Sequence, residues 1–152
     1  MKNSQKILIV NRKAYHDYEI LEKIEAGLVL TGTEIKSLRQ GKASIKEAFA
    51  YFKDNEIYIY DMNITPYEQG NRFNHDPKRK RKLLLHKREI RKLISKITQK
   101  GLTLVPLKIY LKNSKAKLEL GVGRGKKLYD KREYLKKKDA LRETKRMLKE
   151  RY

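Results

Sequence analysis

The sequence predicts a mainly β protein with helices: a small antiparallel barrel over residues 1–125, followed by a charged tail over residues 126–152. Three observations carry this. Branched and aromatic residues between positions 7 and 122 fall in short runs separated by turn residues. The clearest helical period is confined to Lys87–Lys100, and from Lys126 to Tyr152 the chain contains neither glycine nor proline. Five or six strands at such spacing suit a closed or nearly closed barrel.

Residues 18–30 (YEILEKIEAGLVL) read as the first long strand, with Gly27 expected to mark a bulge or sharp bend. Thr33 is the expected cap of a short helix that turns Ile35 and Leu38 to the barrel and ends at Gly41. Ile45–Lys53 and Glu56–Met62 form an expected hairpin around Asp54-Asn55, with Ile57 and Ile59 on one face and Tyr58 and Tyr60 on the other. Pro66–Lys82 reads as a polar loop. In Lys87–Lys100, Ile90, Leu93, Ile94 and Ile97 recur at helical spacing, Arg88, Arg91, Lys92 and Lys96 take the other face, and Gly101 supplies the left-handed stop. Leu102–Leu111 and Lys115–Val122 make a second hairpin across Asn113-Ser114. No internal repeat is present.

Charge is distributed by segment. The chain holds 39 Lys and Arg against 18 Asp and Glu, a net +21. Residues 11–60 balance at eight of each sign, whereas residues 76–100 carry 11 basic against 2 acidic side chains and residues 126–152 carry 12 against 5. A basic excess confined to particular segments is the footprint of phosphate binding, which releases condensed counterions. The tail has too narrow an apolar seam (Tyr134, Leu141, Met147-Leu148) to fold alone, yet enough Lys, Glu, Arg and Leu to become helical on a polyanion. The other arrangement is a helix packed on its own barrel.

Other chemistries lack their residues. With 0 cysteines there is no disulfide framework or thiolate zinc site. Ile7–Val10 is too short for a signal-peptide core or a membrane span, so a cytoplasmic monomer is expected, with no membrane partner. Gly121, Gly123 and Gly125-Lys126 suggest a phosphate loop, but Leu120 and Lys127 stand where its outer glycine and hydroxyl belong, and Lys126 replaces the third glycine of a dinucleotide motif. His16-Asp17 and His75-Asp76 read as surface or turn pairs, leaving no catalytic, cofactor or metal constellation.

Six stretches carry a resemblance: NRKAYHDYEI (11–20), EAGLVLTGTEIKSLRQGKAS (25–44), NITPYEQG (63–70), NHDPKRKRKLLLHKREI (74–90), GLTLVPLKIYLKN (101–113) and GRGKKLYDKRE (123–133). In content and order they resemble the SsrA-binding protein (small protein B) family of bacterial ribosome rescue. The resemblance implies an oligonucleotide-binding (OB) type barrel that holds the tRNA-like domain of transfer-messenger RNA. It also implies a tail that enters the empty mRNA channel and decoding centre of a stalled ribosome, with an elongation factor in the delivery complex. The family's RNA-binding pattern falls on Asn11, Tyr18, Glu25, Lys117, Arg124, Lys126 and Lys127. Amides and carboxylates can bond unpaired base edges and 2'-hydroxyls, an aromatic ring offers a stacking platform, and cations track phosphates. For Glu25 a structural ion pair is the competing role.

For the ribosome, the resemblance implies contacts from Tyr129, Asp130, Lys131 and Arg132, with Lys136, Lys137 and Lys138 along the rRNA. Tyr129 would stack in the decoding centre. Departures from the family are Lys115 where an aromatic is frequent, the absence of tryptophan, and a glycine-rich Gly121-Val122-Gly123 before the tail. The alternative function is a ribosomal or general RNA-chaperone protein. An RNA-processing enzyme would need a constellation that the chain does not offer.

Overall fold

A computed structural model describes residues 5–68 and 74–126. The elements in chain order are β1 (Gln5–Val10), α1 (Arg12–Asp17), β2 (Tyr18–Leu28), α2 (Gly32–Arg39), β3 (Ala43–Ser44) and β4 (Phe49–Lys53), then β5 (Glu56–Tyr60), β6 (Asn63–Ile64), β7 (Arg81–Leu84), α3 (Lys87–Lys100), β8 (Thr103–Lys112) and β9 (Lys115–Gly125). The main sheet runs β1-β8-β4-β5-β7-β2-β9, and β8 also pairs with β9, so six antiparallel strands close into a ring with β1 added outside. The barrel expected from the sequence is therefore present. Its weakest seam is β4 to β8, joined at the single pair Ala50–Leu104.

Alternation fills the ring. Ile57 and Ile59 of β5, Leu83 of β7, and Leu118, Leu120 and Val122 of β9 all point inward and are buried. Removing each such side chain from water stabilises the fold by about 1.5–3 kcal/mol before cavity terms. Helix α3 lays Ile90 and Leu93 on the barrel end, with its bounds and its Gly101 stop (φ 64°) as the periodicity predicts. Both hairpin turns place two consecutive residues at positive φ, Asp54-Asn55 and Asn113-Ser114, the geometry that matches strand twist.

Several expectations need correction. Gly27 is not a bulge: it pairs with Lys117 on one side and Leu84 on the other, and a Cβ there would lie 3.0 Å from the Leu84 Cβ. The bulge in β2 falls between Ile20 and Glu22. Helix α2 is capped by Thr31 rather than Thr33, because Thr31 and Glu34 form a reciprocal capping box. Its buried face is consequently Glu34, Ser37 and Leu38, with Ile35 only half-buried. The strand expected from Ile45 begins at Phe49, since Ile45 to Ala48 make a turn that drops Ile45 into the core. Strand β7 starts inside the expected polar loop, and β1 and α1 are additional elements.

Candidate nucleic-acid interface

The long ladder of β2 with β9 runs from Tyr18–Gly125 to Gly27–Lys117 and sets out the predicted site residues in two groups. Tyr18, Arg124 and Lys126 lie at one end, beside Asn11. Glu25 and Lys117 lie toward the other, seven residues along β2 from Tyr18, or ~23 Å at strand rise. A surface this long suits a folded RNA rather than a mononucleotide.

At the first end, Asn11 sits at the start of α1 and is 5% exposed. Its Oδ1 accepts from the Ala14 N–H, and its Nδ2 donates to the Ile45 carbonyl (3.1 Å) and the Pro106 carbonyl (2.9 Å). Both amide hydrogens are thus used inside the fold, where they pin α1 to β8 and to the 45–48 turn. The predicted base-reading amide is a positioning group in this geometry. Tyr18 closes the other end of α1 and packs on Ala14, Val105 and Leu107. Arg124, opposite Glu19, and Lys126 are exposed.

The glycines before the tail have a steric reason. A Cβ on Gly123 would stand 2.2 Å from the Glu19 carbonyl oxygen, and one on Gly121 2.9 Å from a methyl of Leu107. The glycine-rich stretch is therefore where β2 and the small cluster beneath α1 press against β9.

At the second end, Glu25 Oε1 accepts from the Tyr110 hydroxyl at 2.5 Å and Oε2 lies 3.5 Å from Lys112 Nζ. The Tyr110 bond, with help from Lys112, holds the Glu25 carboxyl below the usual carboxylate range. Burial and the same carboxylate push the Tyr110 phenol upward. Lys117 is half-buried opposite Tyr110. Glu119 lies between Lys23 (3.9 Å) and Lys108 (3.7 Å). Glu25 and Glu119 are thus each already matched by cations, so this end of the wall can receive phosphates without presenting a bare acid to them.

Sequence reasoning missed the fate of Arg81. Read as a loop cation, it is fully buried: Nε donates to Glu34 Oε2 (2.5 Å), Nη1 to the Met62 carbonyl (2.5 Å) and Nη2 to the Pro77 carbonyl (3.2 Å). Arg79 Nη2 reaches Glu34 Oε1 at 2.5 Å. Burial works to raise the Glu34 pKa, but the bonds from Arg79, the Thr31 N–H and Arg81 outweigh it and hold the group charged. The alternation Arg81 in, Lys82 out, Leu83 in was the available signal. His75 is likewise a fastener, with its Nε2 donating to the Ile64 carbonyl (2.8 Å) and its Nδ1 meeting Thr33 Oγ1 (2.9 Å).

Comparison with known proteins adds the decisive observation. The family model described as SmpB protein matches residues 8–150. The chain belongs to the SmpB family. SmpB relatives named SsrA-binding protein include one from Carboxydothermus hydrogenoformans, 59% identical over 97% of this chain and 99% of the relative, and one from Acetivibrio thermocellus, 60% identical over 99% and 98%. A solved SmpB chain, from work described as "tmRNA-SmpB: a journey to the center of the bacterial ribosome", superposes with a TM-score of 0.65 at 58% identity, covering 78% of this chain and 83% of that one. Lys127, Tyr129, Asp130, Lys131, Arg132, Lys136, Lys137 and Lys138 fall within the SmpB match but outside the described residues. Among the described residues no helix is long and apolar enough to cross a membrane.

Proposed function

We propose that this protein binds the tRNA-like domain of transfer-messenger RNA and delivers it to stalled ribosomes, acting as an adaptor that performs no chemistry of its own. The observation that carries the reading is that the SmpB match runs through barrel and tail together. In this reading the β2–β9 wall holds the RNA: Tyr18 stacks on an unpaired base, Lys117, Arg124, Lys126 and Lys127 neutralise phosphates, and Glu25 meets a donor on the RNA from its Tyr110–Lys112 cradle. Asn11 acts through Tyr18 by fixing α1. Tyr129 to Arg132 reach the decoding centre, with Lys136, Lys137 and Lys138 along the channel rRNA. The work takes place in the cytoplasm with an elongation factor in the complex.

The test is to purify the protein from its own cells and sequence the RNA that comes with it. One dominant species with a tRNA-like end is expected. A broad recovery of rRNA fragments would favour the general RNA-chaperone reading instead.

A further inference from the structure

The wall of the barrel opposite the β2–β9 face has its own chemistry. In the closed ring, β4 and β5 are separated from β9 by β8 on one side and from β2 by β7 on the other. Their outward positions are aromatic. Phe49 pairs with Tyr60 and Tyr51 with Tyr58 across the hairpin. Phe49 and Tyr60 stack at 5.4 Å between centroids with 19° between planes, and Tyr51 leans on Phe52 at 4.6 Å. Phe49 is 41% and Tyr51 46% exposed. Neighbouring β7 and the residue before it add the cations: Lys82 lies opposite Tyr58, and Lys80 Nζ stands 4.5 Å from the Tyr58 ring centroid. The nearby acids are Glu56, 3.6 Å from Lys82, Asp54 in the turn beside exposed Lys53, and exposed Asp61 next to Tyr60.

Aromatic rings that could have been any residue on a solvent-facing strand, bordered by lysines, are the elements of a single-stranded nucleic-acid platform, where bases stack on rings and the backbone follows the charge. The net charge selects the occupant. A second copy of a +21 chain, or the protein's own basic tail, would bring like charge to Lys80 and Lys82. We infer that the β4–β5–β7 face binds a short unpaired stretch of RNA, stacking two or three bases on Tyr51, Tyr58 and the Phe49–Tyr60 pair. This is a second contact, separate from the wall that holds the tRNA-like domain.

The full chain is titrated with a single-stranded oligouridylate of about ten nucleotides while the tyrosine ring resonances are followed by NMR. Ring shifts at Tyr51 and Tyr58 are expected. Tyr51→Leu with Tyr58→Leu keeps apolar cover on the strands and should weaken oligouridylate binding roughly tenfold, leaving affinity for the isolated tRNA-like domain within about twofold. Lys80→Ala with Lys82→Ala should lower the salt slope by about two contacts. Unmoved tyrosine resonances would overturn the inference whatever the variants do. So would a self-association that the tyrosine variants abolish. Failure of the transfer-messenger RNA reading would show instead in the tRNA-like-domain arm alone.

Discussion

Glu34 and Arg81 show how much one pair of side chains can organise. The carboxylate caps α2 through the Thr31 N–H and receives Arg81 from β7 and Arg79 from the segment before it, tying a helix start to a strand otherwise joined by few pairs. Glu34→Gln leaves Arg81 buried without its counter-ion, and a loss of about 3–5 kcal/mol at neutral pH is expected from denaturant unfolding. The sign with pH follows from the lowered Glu34 pKa. The stabilisation is fully present above the ordinary carboxylate value and lost as pH falls through the depressed folded one. The wild type should therefore lose stability on acidification and the variant should lose less, so the two unfolding curves converge in acid. Parallel curves would show that Glu34 is not the group titrating.

Asn11 and Tyr18 divide the labour differently. Tyr18→Ala should weaken transfer-messenger RNA binding by ~1–3 kcal/mol with the fold intact, as for loss of one stacked base. Asn11→Ala should also weaken binding, by freeing α1 and misplacing Tyr18, but without changing the salt dependence. Removing Lys126 and Lys127 together should lower the slope by about two phosphate contacts. Titrations at several salt concentrations separate these outcomes. A changed slope in Asn11→Ala would contradict its positioning role.

Elements were legible in the sequence where one local rule dominated. Helix α3 was readable to the residue because Ile90, Leu93, Ile94 and Ile97 hold the helical period and only Gly101 suits the left-handed stop. The hairpins followed from Asp54-Asn55 and Asn113-Ser114. Helix α1 was not readable, because six residues with Ala14 as their one buried side chain have no period to detect. Strand β7 was hidden by its inward Arg81, whose partner lies 47 residues away. For the site, the resemblance supplied the residues, and only the fold separates buried Asn11 from exposed Arg124. The glycines of β9 carry an element-scale prediction. Gly123→Ala drives a methyl into the Glu19 backbone and should cost at least about 1–3 kcal/mol, whereas Gly121→Ala meets a side chain, Leu107, at a longer distance and should cost less. Thermal unfolding of the two variants ranks them, and equal losses would mean that the β2–β9 contact yields more easily than the geometry indicates.

At the scale of the molecule, the β2–β9 wall pairs Glu25 and Glu119 with lysines, and the basic tail follows directly from β9 in sequence. The described chain leaves the sheet at Lys126, beside Tyr18 and Arg124, so under the proposed function RNA on the wall would lie next to the start of the tail. The proposed function assigns holding the RNA and engaging the ribosome to different parts of one chain. The most direct measurement compares the full protein with a chain ending after Tyr129, in transfer-messenger RNA binding and in rescue of ribosomes stalled on a message without a stop codon. The shortened chain should bind the RNA nearly as well as the whole protein and rescue nothing. A shortened chain that still rescues, or one that loses the RNA, would contradict this division of work.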